Sequence, residues 1–466
     1  MPVTWLRAGF VAAAAVFLSW QLFVPPIVGL ADQGDVTRMI GRFGYSAVDK
    51  SAEYAFLARK YVPDPNARQR AYEQVSPEYI FVGAAVLLNT FLSKDGSLDI
   101  TIIGFVHMLA FLYAFHRLLR ASEPLRAGSL TWILAIWILA LLALTDVGYA
   151  AYWNSFYAEP ASCIFFLLLL GESIEICRTG DVSNAQFVRW AIWAALFVMA
   201  KPQNAPLGIL LALFVFRLRA WSKSPAAWRI AISSSLAIVA AVVFITVTSP
   251  AVNMWSSTYD QVFMVILPES KTPAKDAQAL GLTPDWLKYS GTGAWTQGTA
   301  FPEAVTSGVI GKTITHGTVA RFYLLRPARI WRHAKRMLPV AFSLRPEWCG
   351  NFERSAGLPP LAKSSAFAIW SGFREHVLAA CGKFIVFALL PCPIISVVAW
   401  LRAGRDSRRS IEFFGLLGIC CLLSFGIAIC GDAWDNVKHL FLFNLLLDTW
   451  MVAGIAILFQ RVRAGS

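Results

Sequence analysis

Two carboxylates open the polar stretch that follows the first apolar run. They are Asp32 and Asp35, within Leu30-Ala31-Asp32-Gln33-Gly34-Asp35-Val36-Thr37-Arg38. A carboxylate at a bilayer surface can take the proton of a hydroxyl while that oxygen attacks carbon. Arg38 lies three residues on and would hold Asp35 ionised. The plain structural alternative is a helix N-cap with a local ion pair.

A second polar patch, Asn154-Ser155-Phe156-Tyr157-Ala158-Glu159-Pro160, contains no basic residue. Glu159 stands at the mouth of a later apolar run, and Pro160 suits a first helical turn. Glu159 could hold a sugar hydroxyl or a divalent cation, magnesium or manganese. It could equally be an acid favoured by the helix dipole. Lys201, in Lys201-Pro202-Gln203-Asn204, either snorkels or neutralises a phosphate. Lys438-His439 begins the last apolar run, with Asn444 and Asp448 inside it. Polar groups within a span are costly and often functional, and Asp448 would need a partner. Arg345 and Arg354 flank Pro346-Glu347-Trp348-Cys349-Gly350-Asn351-Phe352-Glu353. They could grip a phosphate or pyrophosphate, or belong to an ordinary solvated loop. Zinc, P-loop and serine-hydrolase patterns are absent, and the histidines are scattered.

The elements that must position these residues are spans. The chain of 466 residues is 57% hydrophobic and only 15% charged, with mean hydropathy +0.56. Soluble domains carry about 25% charged residues, and several apolar runs approach the ~20 residues that cross a bilayer. The net charge of +13 does not imply nucleic acid, because the basic residues fall in short loops between apolar runs. The eight cysteines form no CxxC pair and support neither zinc nor disulfides.

The expected order is a first span at 1–28, a first extracytoplasmic loop at 29–99 and a bundle at 100–248. A second extracytoplasmic region at 249–376 and C-terminal spans at 377–466 complete it. The stretch Tyr45 to Tyr61 reads as a surface helix, with charges among aromatic residues. The short run 79–92 reads as re-entrant or interfacial, because crossing would put the basic loop from His116 to Arg126 outside. Arg326, Arg329, Arg332 and Arg336 recur on one helical face, as in a helix near lipid headgroups. The fold class is an all-α polytopic membrane protein. It has about ten transmembrane helices, both ends cytoplasmic and two large extracytoplasmic regions.

Taken together, these residues resemble the GT-C superfamily of polytopic glycosyltransferases, and within it the WsfD-type bacterial hexose transferases. The segments that carry the likeness are Ser76-Pro77-Glu78-Tyr79-Ile80, Asn154 to Pro160, Gly350-Asn351-Phe352-Glu353-Arg354-Ser355-Ala356-Gly357 and His439-Leu440-Phe441-Leu442-Phe443-Asn444. The resemblance implies a GT-C-like bundle in the bacterial cytoplasmic membrane, with its active site on the extracytoplasmic side. It implies inverting transfer of a hexose from a polyprenyl-phosphate donor to a glycan or lipid-linked acceptor. By position, the first-loop acid falls on Asp35, with Asp32 the runner-up, and the second-loop acid on Glu159. Arg38, Asn154, Tyr157, Lys201, Arg345, Arg354, Lys438 and His439 are the candidate substrate contacts. The three-residue gap between Asp32 and Asp35 departs from the adjacent acids common in the superfamily. That gap leaves the base and any metal open. The partners are membrane lipids, the donor and the acceptor, with no nucleic acid. The rival readings are a polymerase or ligase using a lipid-pyrophosphate donor, with Arg345 and Arg354 central, a transporter or flippase, and a non-catalytic scaffold.

Overall fold

The computed structural model describes residues 3–32, 34–49, 54–70, 74–123, 130–433 and 436–464. The basic loop expected around Arg126 lies outside them. The long apolar runs are helical. Hydrocarbon offers no partner to an N–H or C=O, so a spanning segment must satisfy its own.

The main helices are α1 (Val3–Phe23), α2 (Val36–Ile40), α3 (Glu78–Leu92), α4 (Ile100–Ala121), α5 (Leu130–Leu144), α6 (Glu159–Thr179) and α7 (Asn184–Ala200). They continue with α8 (Ala205–Leu218), α9 (Ala227–Thr248), α10 (Gly382–Leu389), α11 (Cys392–Arg402), α12 (Arg405–Gly431) and α13 (Phe441–Ala464). Among the described residues, six helices are long and apolar enough to cross a membrane. The pair α10–α11, bent by 45°, makes a seventh if it is one span. Of the three remaining expected spans, two form as shorter helices, α5 with 15 residues and α7 with 17, and the last lies in α13, which is helical over Phe441–Ala464.

Helix α6 is the axis of the bundle. Its run Cys163-Ile164-Phe165-Phe166-Leu167-Leu168-Leu169-Leu170 is apolar on every face, and every residue in it is buried. A helix hydrophobic all round must be surrounded. Helices α4 and α7 pack along it, α8 and α9 lie beyond α7, and α12 and α13 close the other side. Near its C-terminal end, Glu172 is 1% exposed and takes Arg189 at 2.8 Å and Arg117 at 3.3 Å, which ties α6 to α7 and α4.

Helix α3 has 15 residues and spans ~22 Å at 1.5 Å per residue, short of the ~30 Å hydrocarbon core. Phe81, Val82 and Ala85 face inward, while Leu87, Phe91 and Leu92 stay exposed.

The surface helix expected over Tyr45 to Tyr61 does not form among the described residues. Tyr45–Ala47 and Lys60–Pro63 are strands β1 and β2, paired antiparallel. Leu98–Asp99 adds as β3 beside Lys60 and Tyr61. The reason lies in partners distant in sequence. Arg59 is drawn to Asp99 at 2.9 Å and Glu353 at 3.0 Å, and strand pairing holds the chain extended to meet them. The stretch 249–376 contains its own small core around Tyr259, Phe263, Phe301 and Phe322. The arginines of its basic helix, Pro327–Met337, turn onto acids and carbonyls of the same region rather than standing free. Arg329 reaches the Glu269 carbonyl at 3.1 Å and Ser270 at 2.9 Å, and also pairs with Asp276; Arg336 pairs with the Glu269 carboxylate.

Candidate active site

The two acids of the first loop separate into different roles. Asp32 Oδ1 accepts from the backbone N–H of Gly34 at 2.7 Å and of Val36 at 3.1 Å, which closes a turn onto α2. Gly34 has φ +97°, a conformation that favours glycine. Asp35 is the residue before α2 and its side chain caps nothing. It points instead to cations: Arg38 Nη1 is 2.9 Å from Oδ1, and Lys438 Nζ donates to Oδ2. Burial opposes the charge on Asp35. Lys438, Arg38 and Lys201 outweigh it and hold the carboxyl far below the ordinary carboxylate range.

Lys438 lies 5.4 Å from the ring centroid of Tyr157, whose hydroxyl donates to the Ala31 carbonyl at 2.7 Å. Two residues on from Tyr157, Glu159 begins α6. Its Oε1 is 2.6 Å from Lys201 Nζ, at the end of α7. Because Lys201 also acts on Asp35, the two acid–lysine pairs share one electrostatic neighbourhood. It is built from the loop after α1, the start of α6, the end of α7 and the entry to α13. Gln203 Nε2 donates to the His439 carbonyl at 2.5 Å, and His439 Nε2 lies 3.4 Å from Asp432. That joins the turn after α7 to the segment before α13.

Asn154 has a scaffolding place. Its amide donates to the carbonyls of Leu22 at 3.0 Å and Val28 at 2.8 Å. Gly104 of α4 is required beneath it, since a Cβ there would meet Asn154 Oδ1 at 1.9 Å. The segment Gly350-Asn351-Phe352 runs beside the first loop: Gly29 N donates to Asn351 O and Ala31 N to Gly350 O, both at 3.0 Å.

Other candidates are engaged elsewhere. Arg345 donates to Asn351 Oδ1 at 2.7 Å and to the Ser364 carbonyl at 2.8 Å. Arg354 pairs with Asp49 at 3.4 Å and lies over the Phe56 ring. Asp448 is the acceptor of a buried network. Tyr149 donates to it at 2.7 Å and Trp370 at 2.9 Å, while Arg374 bridges Asp448 and Asn444.

A buried pair that the spacing argument passed over lies against this cluster. Glu78 and His107 are both wholly buried, with Oε1 and Nε2 2.7 Å apart. The sequence signal was a carboxylate and an imidazole facing otherwise apolar helices, each needing a partner. Among the described residues, no three His, Cys, Asp or Glu side chains group as a metal-ligand set. The site is built of carboxylates matched to lysines.

The helices and this polar end define the class: a mostly helical, multi-pass membrane protein, with one small three-stranded sheet and a cluster of charged residues where several helices end. Residues 7–465 match the YfdI N-terminal transmembrane domain, and the chain belongs to that family. No curated protein matches the sequence. Among solved structures, the chain is similar to the oligosaccharyltransferase of Archaeoglobus fulgidus in its apo form, with 11% identity and a TM-score of 0.40, over 98% of this chain and 51% of that one. It is also similar to ArnT from Cupriavidus metallidurans in its apo state, with 12% identity and a TM-score of 0.33, over 97% of this chain and 76% of that one. The chain thus spans about half the length of the archaeal oligosaccharyltransferase.

Proposed function

We infer that the chain is an inverting membrane glycosyltransferase. It moves a sugar, on the motif likeness a hexose, from a polyprenyl-phosphate donor to a hydroxyl of a glycan or lipid-linked acceptor. The site faces the extracytoplasmic side of the bacterial cytoplasmic membrane. The observation that carries this reading is the pairing of each candidate acid with a lysine, Asp35 with Lys438 and Glu159 with Lys201. Two carboxylates beside two ammonium groups meet the two needs of the reaction, proton removal from a hydroxyl and neutralisation of a departing phosphate.

In the proposed step, the acceptor oxygen forms a bond to the anomeric carbon as its proton passes to Asp35. The bond from that carbon to the phosphate oxygen breaks, and the electron pair leaves on the phosphate. Asp35 paired to Lys438 and Arg38 is ionised but weakly basic. A donor phosphate competes for Lys438 and Lys201, and as these turn to the phosphate, the proton affinity of Asp35 rises. Donor binding thereby prepares the base. Glu159, released from Lys201, orients the acceptor hydroxyl.

Binding of a pyrophosphate by Arg345 and Arg354 has less support, since Arg345 holds Asn351 of its own region and Arg354 pairs with Asp49 of the first loop. The deciding experiment incubates purified protein with a panel of polyprenyl-phosphate and polyprenyl-pyrophosphate sugars. Consumption of a monophosphate donor, lost in Asp35→Asn at normal membrane abundance, is expected. An active Asp35→Asn, or exclusive use of pyrophosphate donors, overturns the reading.

A further inference from the structure

We propose that the buried corner Ser76-Pro77-Glu78, with His107 beneath it, is a positioning unit. It sets the Glu159–Lys201 pair at its working separation. The proposal rests on the reading of Glu159 and Lys201 as site residues, but its test does not.

The corner touches both partners' backbones. Glu78 Oε2 accepts from the N–H of Ala161 at 3.1 Å, in the first turn of α6, two residues after Glu159. Ser76 Oγ donates to the carbonyl of Ala200 at 2.8 Å, the residue before Lys201. The same Ser76 oxygen accepts from Glu78 N at 3.2 Å, which locks the corner on itself. One short segment thus fixes the start of α6 against the end of α7. Glu159 is 1% exposed and Lys201 16%, so the ion pair has little freedom of its own once these backbones are held.

His107 completes the unit and defines its proton. Its Nδ1 is 2.8 Å from the carbonyl of Trp153, which only accepts, so Nδ1 carries hydrogen. A single proton then lies between Nε2 and Glu78 Oε1. On either atom, the pair as a whole is neutral, as a site with no exposure to water requires. The Trp153 tie also anchors the far end of the loop that carries Asn154, Tyr157 and Glu159.

This chemistry predicts an unusual rescue. In Glu78→Gln, the amide oxygen can accept from Ala161 N, and the amide N–H can donate to the neutral Nε2 of His107. Every partner stays satisfied and the charge stays at zero. Glu78→Ala leaves Ala161 N and His107 Nε2 without partners. A residue that moved protons in the reaction would fail in both variants; a positioning residue fails only in the second.

The test reads geometry first and turnover second. Purified wild type, Glu78→Gln, Glu78→Ala and Ser76→Ala are treated with a water-soluble amine-acylating reagent, and labelling of Lys201 is measured by mass spectrometry. Glu78→Gln should match wild type, while Glu78→Ala should label Lys201 several-fold faster. Transfer from polyprenyl-phosphate sugars, per folded molecule, should follow the same order, with kcat reduced more than KM is changed. If Glu78→Ala does not accumulate, Ser76→Ala decides, because it removes the Ala200 tie and the acceptor of Glu78 N while leaving the Glu78 and His107 side chains in place, and should label Lys201 about twofold faster. Wild-type labelling of Lys201 in folded Glu78→Ala, or in Ser76→Ala when that variant decides, overturns the proposal. So does a Glu78→Gln protein as perturbed as Glu78→Ala. Absence of any turnover in wild type would count against the glycosyltransferase reading alone, since the labelling result stands without it.

Discussion

The side-chain ammonium of Lys438 donates to the carboxylate of Asp35 across 403 positions of sequence, with only 5% of the lysine side chain exposed. A buried ammonium without its partner is costly, so this contact binds the last helix to the first loop. Asp35 has its folded pKa depressed below the unfolded value near ~3.9. Its stabilisation is complete above that value and is lost as pH falls from it toward the folded one. Removing one partner of a fully buried pair costs ~3–5 kcal/mol; the quarter-exposed Asp35 warrants a lower figure, ~1–3 kcal/mol. Thermal melting in detergent from pH 3 to 7 should show Asp35→Asn less stable than wild type. The gap should be constant above pH ~4 and narrow below it. A gap that does not narrow in acid would mean that the pair is not the source.

On the proposed reaction, Lys201 would separate donor binding from acid–base work. A charge-assisted hydrogen bond to phosphate contributes ~1.5–3 kcal/mol, which corresponds to ~10- to 150-fold in affinity. Lys201→Met should therefore raise KM for a polyprenyl-phosphate sugar by at least ~10-fold. It should weaken binding of the unreactive polyprenyl phosphate by a similar factor. An unchanged affinity for polyprenyl phosphate would take Lys201 out of the phosphate role.

Asp448 serves the bundle rather than the chemistry. Arg374 is wholly buried and pairs with Asp448, while Tyr149 and Trp370 fill the remaining acceptor positions. Asp448→Leu strands the guanidinium and should cost ~3–5 kcal/mol, with a large fall in membrane abundance. Arg374→Met with Asp448→Leu removes both charges and should recover much of that loss. Melting temperatures of the two single variants and the double variant give the coupling. A double variant as unstable as the sum of the singles would refute it.

What the sequence could disclose depended on the range of the interaction. Apolar runs announced the helices, because hydrocarbon imposes its demand on each segment alone. The partnership of Asp35 with Arg38 was legible, being three residues apart on one turn. The partnership with Lys438 was not: spacing cannot say which outer lysine meets which acid. Tyr45 to Tyr61 misled because alternating charge and aromatic residues fit a surface helix as well as a strand. Arg59's distant partners, Asp99 and Glu353, decided between them. The basic face from Arg326 to Arg336 read as lipid-facing because Glu269 and Asp276 lie some fifty or more positions earlier. Glu78 was quoted as part of a motif, yet its role needed His107 and Ala161, which only the packed bundle brings to it.

Lys363 offers a second pH signature. Its ammonium donates to the carbonyls of Pro346 and Cys349, with no carboxylate at contact distance among its hydrogen-bond partners. Burial depresses its pKa from the ordinary lysine value of 10.5 to about 8. Between those two values the unfolded chain holds a proton that the folded chain has released, so stability must rise with pH. The neutral amine still donates, since two N–H bonds remain for two carbonyls. Lys363→Met removes the titration but not the stem's packing. From pH 8 to 10, wild type should gain melting temperature relative to Lys363→Met. Below pH 8 the difference between them should be flat, because Lys363 is then charged in both states. Parallel curves across the whole range would show that the amine is not desolvated. The loop that carries Gly350 and Asn351 to the first polar loop would then be open to water.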